Sequence, residues 1–441
     1  SRGLGDVYKR QGMVSTMEYG FQDASGGTGT VDTMEYGGQG IEGGGTGTIN
    51  TMKDGDQIIT SGVGTINTMS GGYQKILSGG TGTVSTMSNG YQNISGSGTI
   101  DVMISGEQNI SSGAAGTINT MSGGNQNVNG GTGTVSTMSG GSQRIYSGAG
   151  TVSTMINGSQ RVDGGTGTII SMNSGYQAIS GGSGTIDSMN DGRQWIVGSG
   201  TGTINVMQGG GQLVGNGTGT ISTMSGGSQT INGGTGTVST MNGGEQNISY
   251  GGTGTISTMN GRQIISSGGT GTISTMNNGY QKISNGGTGT ISTMNNGGQD
   301  ISSGKGTINT MIRGKQDIVS GTGTVDTMSG GEQYISGGTG TISTMNNGYQ
   351  WLLSGTGTIN IMSGGTQTID SGCTGTIDTI KSGKQDIYSG IGTIDVMFGG
   401  RQDISDGGTG TIDIMNGGLQ NTTLGCSGTI YTMNGGTQQI W

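Results

Sequence analysis

The chain has 441 residues and a formal net charge of −9, with 106 glycines and only 27% hydrophobic residues, an inventory that excludes the ordinary globular core its length would allow. Charged residues make up 9% and Pro is absent, which sets the chain apart from disordered segments and suits long hydrogen-bonded ladders, because Pro cannot donate the N–H that an interior strand must supply. Lys and Arg are scattered singly, which excludes a nucleic-acid partner read through a basic stripe, and no apolar run approaches the ~20 residues of a membrane-spanning helix, so no membrane insertion by this segment is expected.

Taken from the start, residues 1–11, SRGLGDVYKRQ, match no later pattern. They are expected to be an adapter remnant at a contig end or a short linker, and the fold argument begins at residue 12. From 12 to 441 one pattern, G-T-[IV]-x-x-M-x-x-G-x-Q-x-[IV], recurs in 25 units, with Met in 24 of them from Met17 to Met433 and Ile380 in its place once. Successive units are 16 to 18 residues apart, mostly 17. The chain begins without Met and stops just after the patterned part of a unit, so it is read as a fragment truncated at both ends.

Each unit opens on a predicted strand, T-[IV]-x-[TVSI]-M. The side-chain period of two directs the Ile or Val inward and the next residue outward. That next residue is Ser, Asn or Asp in 23 of 25 units, the exceptions being Ile170 and Tyr431. The Thr, Val, Ser or Ile that follows is expected inward again. Strict alternation would then expose Met in every unit, so a bend just before Met is expected, giving two consecutive inward residues. After a turn such as NNG comes a second strand, x-Q-x-[IV], in which Gln and the Ile or Val share the inward face and their neighbours vary freely.

Neither strand can bury a face alone, but stacked units can, each strand pairing in parallel with its copy about 4.8 Å away. The fold class is therefore all-β, a single-stranded parallel β-helix or solenoid of about 25 rungs with 17–18 residues per rung and a length of roughly 120 Å. In that coil Gln281 and Gln299, beside Met276 and Met294, form a structural inward ladder, since a buried amide must be hydrogen-bonded or cost on the order of 1–3 kcal/mol.

Along the chain, Tyr73, Tyr91, Tyr176, Tyr280 and Tyr349 each precede the Gln of their unit. They are read as exposed strand residues rather than a carbohydrate platform. Ser222, Ser239, Ser257, Ser274 and Ser292 fill the outward column after Gly-Thr-[Ile/Val] and are the candidate adhesive surface, because many modest hydrogen bonds at one spacing add through avidity. Asp378, Asp395 and Asp413 make the same column acidic near the end of the chain, joined by Asp386 and Asp403. Such a column could recruit a cation or bind a basic partner, but a solvated flank eased by Lys381, Lys384 and Arg401 is expected. Cys373 and Cys426 stand three rungs apart, about 14 Å against the ~7 Å limit of a disulfide, and are expected to stay unbridged within one rod.

Thr-Gly-Thr occurs in 16 units and raises ice binding as an alternative, although its central Gly speaks for a structural or adhesive ladder. A calcium β-roll is excluded because Ile273 and Ile291 occupy the position of the required carboxylate. The chain has no His, which removes the usual general base; no enzyme, cofactor or metal is expected, with a polysaccharide-active β-helix as the catalytic alternative.

The phrase GGTGTISTMNNGYQKISNGG, residues 268–287, resembles the repeats of the AIDA family of self-associating autotransporter adhesins in its Gly-Gly-Thr start, its Asn-Gly turn and its Gly-x-Gln-x-[Ile/Val] segment. The period is shorter here, and Met stands where an aliphatic residue is more usual. The resemblance implies a right-handed coil displayed on the surface of a Gram-negative cell through its outer membrane, with a signal peptide and translocator barrel outside this chain. It further implies adhesion, autoaggregation or biofilm formation, the partners being identical passengers on neighbouring cells or surface glycans and proteins.

Overall fold

A computed structural model describes residues 11–441, and every regular element among them is a β-strand. The first strand, Gln11–Met17, takes in Gln11; the rest of the non-repetitive start lies outside the described residues. The chain winds as a parallel β-solenoid of about 25 turns with about 17 residues per turn. It falls into two compact units, one ending at Ser222 and one beginning at Thr223.

Each unit is built the same way. A turn consists of one long strand ending at Met and one short strand centred on Gln, and each pairs in parallel with the equivalent strand of the next turn. In the second unit Thr253–Met259 pairs with Thr270–Met276, and Thr270–Met276 with Gly287–Met294, always Gly on Gly, Ile on Ile and Met on Met. In the first unit Tyr73–Ile76 pairs with Tyr91–Ile94, placing Gln74 on Gln92. Register errors are costly here because a one-residue slip would turn every buried side chain outward.

The interior is narrow and built from a fixed set of side chains. Ile273, Met276, Gln281 and Ile283 of one turn are all fully buried, and burying each Ile or Met contributes roughly 1.5–3 kcal/mol. The Gly of Thr-Gly-Thr faces the same interior. A Cβ on Gly289 would lie 2.5 Å from Ile283 Cδ1 and 2.6 Å from Gln281 Oε1, so the long strand must be bare where the Gln and Ile of the short strand press against it.

The bend in the long strand lies earlier than expected. Ser257 and Ser274 drop out of an otherwise continuous ladder that pairs Ile256 with Ile273 and then Thr258 with Thr275. The chain thus turns at the Ser, Asn or Asp position, and the residue before Met points outward instead of inward. Val102, Val206, Ile361 and Ile414 at that position are 38–39% exposed. A short polar side chain suits such a corner because it can bond to nearby backbone and tolerates irregular dihedrals.

The turn between the strands is stacked as tightly as the strands. Gly298 N donates to Gly279 O at 3.0 Å, and Asn295 N to Met276 O at 2.8 Å. One turn carries a polar residue at a core position: Thr422 stands where the other described turns have an apolar residue, mostly Ile or Val and in two cases Ala24 and Leu352. It is 2% exposed, with its hydroxyl lacking a partner. An unsatisfied buried hydroxyl costs about 1–3 kcal/mol. The near-isosteric Thr422→Val is therefore expected to stabilise the second unit by about 1–2 kcal/mol, read as a higher urea midpoint at unchanged m-value. No shift, or a lower midpoint, would show that the hydroxyl is satisfied.

Candidate functional site

The repeated polar residues divide into an inner ladder and outer columns. Inside, Gln281 Nε2 donates to Gln263 Oε1 and Gln299 Nε2 to Gln281 Oε1, both at 2.6 Å. The ladder tolerates unequal turns: a spacing of 16 residues from Gln92 to Gln108, 17 from Gln57 to Gln74 and 18 from Gln39 to Gln57 all give contacts of 2.7–2.8 Å. The amides also reach across the interior, Gln333 Nε2 lying 3.4 Å from the carbonyls of both Gly323 and Thr341. These groups are saturated and closed to solvent, so neither Gln281 and Gln299 nor Met276 and Met294 offer a binding surface.

Outside, Ser239, Ser257, Ser274 and Ser292 stand at the corner on four successive turns of the second unit. The first three are exposed and Ser292 is half-buried; Ser222, at the end of the first unit, is exposed. Elsewhere the same corner carries Asn and Asp, which bond from turn to turn. Asn50 Nδ2 donates to Asp32 Oδ1 and Asn67 Nδ2 to Asn50 Oδ1, each at 2.8 Å. A second column follows Met, where Asn295 Nδ2 donates to Asn277 Oδ1 at 2.7 Å and Asn296 Nδ2 to Asn278 Oδ1 at 2.9 Å. These outer amide ladders were readable in principle from Asn and Asp recurring at the unit spacing, but period-two reasoning sorts residues only into in and out.

The acidic column is split between two faces. Asp378, Asp395 and Asp413 occupy the long-strand corner on successive turns. Burial, together with the neighbouring carboxylates of Asp378 and Asp413, pushes the Asp395 carboxyl above its ordinary range. Asp386 and Asp403 lie instead on short strands, in an ion-paired cluster where Lys384 Nζ is 2.6 Å from Asp386 and 3.0 Å from Asp403, and Arg401 bonds Asp403. Burial opposes ionisation of Asp403, yet hydrogen bonds from Arg401 and Lys384 hold its carboxyl below the usual range. Among the described residues no group of three or more His, Cys, Asp or Glu converges as a metal shell would. Cys373 and Cys426 are both free thiols, the former buried with its Sγ 3.4 Å from the Leu352 carbonyl.

The aromatic residues are less dispersed than the sequence suggests. Tyr73 and Tyr91 stack with ring centroids 4.9 Å apart, and Tyr19 and Tyr36 at 5.6 Å. An open groove of about 560 Å³ lies among Phe21, Tyr36, Asp54, Asp56, Ile58 and Tyr73. In the second unit Glu332, Tyr334, Tyr349 and Trp351 surround a smaller one of about 240 Å³, with Lys315 Nζ 4.5 Å from the Tyr334 ring centroid.

In Thr-Gly-Thr the Gly points inward and both Thr outward, so the solvent face presents Thr at every second position. Thr270 is exposed and Thr272 half-buried, about the fully buried Gly271. Comparison of the chain with protein families, with curated proteins and with solved structures gives no match.

Proposed function

We propose that this chain is part of the surface-displayed passenger of an autotransporter-like adhesin, carried through the outer membrane of a Gram-negative cell and acting by binding rather than catalysis. In this reading cells are joined by self-association of identical passengers, or by attachment to surface glycans and proteins, with autoaggregation or biofilm formation as the outcome. The observation that carries it is the outward corner column, in which Ser239, Ser257, Ser274 and Ser292 stand on consecutive turns in register. A second copy laid against it meets donors and acceptors at one repeated spacing, so contacts of roughly 0.5–1.5 kcal/mol each accumulate.

The natural column Asp378, Asp395 and Asp413 shows that the corner accepts carboxylates. The triple substitution Ser239→Asp, Ser257→Asp and Ser274→Asp is therefore compatible with the fold, and like charges on apposed copies repel. Cells displaying this variant are expected to sediment by aggregation at least about tenfold more slowly than wild type. Unchanged aggregation, with unchanged melting of the purified chain, would remove the column from the interface.

A second reading, ice binding, draws support from the alternating outward Thr of Thr-Gly-Thr, whose inward Gly lifts the objection raised by the sequence. Thermal hysteresis in solutions of the purified chain separates it from adhesion.

A further inference from the structure

We propose that the open groove in the first unit binds an amino sugar with a free amine, a glucosamine-type residue of a polysaccharide. The repeat is broken here in a way that builds a site. Both residues flanking Gln39 are Gly, and Phe21 of the preceding turn lies over them: a Cβ on Gly38 would meet its ring at 2.8 Å and one on Gly40 at 2.6 Å. The ring is thus laid on the short-strand face, where larger residues at those positions would exclude it.

Two columns converge on the next turn. Within the Met–Gln turn run Tyr19, Tyr36 and then Asp54, with the two rings stacked; before the Gln run Phe21, Gly38, Asp56 and then Tyr73, which stacks on Tyr91. The result is a trough of about 560 Å³ with aromatic walls and two carboxylates, within the volume range of small-molecule sites. Phe21, Tyr36 and Tyr73 are 53%, 50% and 45% exposed, so each keeps open surface beyond its contact with the strand, with Tyr19 or with Tyr91.

Charge selects the occupant. Asp54 and Asp56 are the charged residues of the lining, and no cation is among the lining residues. The nearby Lys53 is paired with Glu35 at 2.8 Å and adds no net charge; Lys75 stands beside Ile58 on the next turn, and the two carboxylates of Asp54 and Asp56 still leave the trough net negative. Such a trough disfavours uronic and sialic acids. It favours a ligand that offers an apolar ring face to Tyr or Phe and a cation to the carboxylates and the aromatic faces. A glucosamine ring carries both on one rigid body. A lysine side chain supplies the cation but loses rotamer freedom on binding and leaves much of the trough unfilled. The site uses turns and short strands of the first unit and no residue of the Ser column, so it stands or falls separately from self-association.

The test is calorimetric titration of the purified full chain with a β-linked glucosamine tetramer, its fully N-acetylated counterpart and tetralysine. The glucosamine tetramer is expected to bind at least about tenfold more tightly than the acetylated one. The double substitution Asp54→Asn and Asp56→Asn should abolish that preference; it keeps the volume and leaves an amide oxygen to accept from Gly55 N, which now bonds Asp54 Oδ1 at 2.8 Å. Tyr73→Ala should weaken both sugars, and either single Asn variant carries part of the loss if the double variant melts early. Equal binding of the two sugars, no binding of either, an unchanged preference in the Asn variants, or tighter binding of tetralysine than of the glucosamine tetramer would each overturn the assignment.

Discussion

Gln281→Leu is expected to destabilise the turns around it by about 2–5 kcal/mol. The substitution leaves Gln299 Nε2 without its 2.6 Å acceptor and Gln263 Oε1 without its 2.6 Å donor, both inside the core. Each orphaned group carries a desolvation penalty of about 1–3 kcal/mol, and the shorter aliphatic chain returns only part of it. Because each turn contacts chiefly its neighbours, the loss should be local. Hydrogen exchange is the suitable measurement: amides of residues 263–301 should lose protection while distant turns of the same unit keep theirs. The volume-conserving Met276→Leu, which orphans no polar atom, should cost less than about 1.5 kcal/mol. Equal effects of the two substitutions would show that the Gln ladder contributes volume and not hydrogen bonding.

Gly297→Ala should cost about 3 kcal/mol or more. Two effects add at this turn. Its φ is +112°, and a Cβ would lie 2.5 Å from the Gly279 carbonyl oxygen and 2.9 Å from Met276 Sδ. That oxygen cannot retreat freely, since it accepts from Gly298 N at 3.0 Å. Gly286 isolates the first effect: its φ is +76° with nothing within 4 Å of an added Cβ, so Gly286→Ala should cost only about 1–2 kcal/mol. Urea midpoints of the two variants measure the difference. If they coincide, the close stacking of the turns carries no energy of its own.

Much of the coil is legible in the sequence because the same two side-chain faces are written out in every unit. Ile273 and Ile283 declare the inward face, and the freely varying neighbours of Gln281 place that amide inside. Parity also reveals that a step is lost between Ile273 and Met276, since the two are an odd number of residues apart. It cannot say where, and the structure puts the lost step at Ser274, which leaves Thr275 outward. The role of Gly289 is equally hidden in one dimension: it is forced by Gln281 and Ile283, eight and six residues earlier, pressing from the opposite strand. The aromatic groove was missed for a related reason. Phe21, Gly38 and Gly40 look like ordinary variation until the ring is seen lying over the two bare positions, and Tyr73 joins Tyr91 only once the turns are stacked. Ser239 and its column, by contrast, are outward by the same parity that turns Gln inward.

The tolerance of the inner ladder for turns of 16, 17 or 18 residues has a consequence at the level of heredity. Neighbouring units are near-copies, so the DNA encoding them invites unequal recombination that deletes or duplicates whole units. A deletion that joins one Gln to the next-but-one presents the same amide to the same acceptor, and the slack is absorbed in Gly-rich corners. Length can then drift between generations while every turn keeps its fold, making the reach of the coil a quantity selection can adjust without inventing a single new contact.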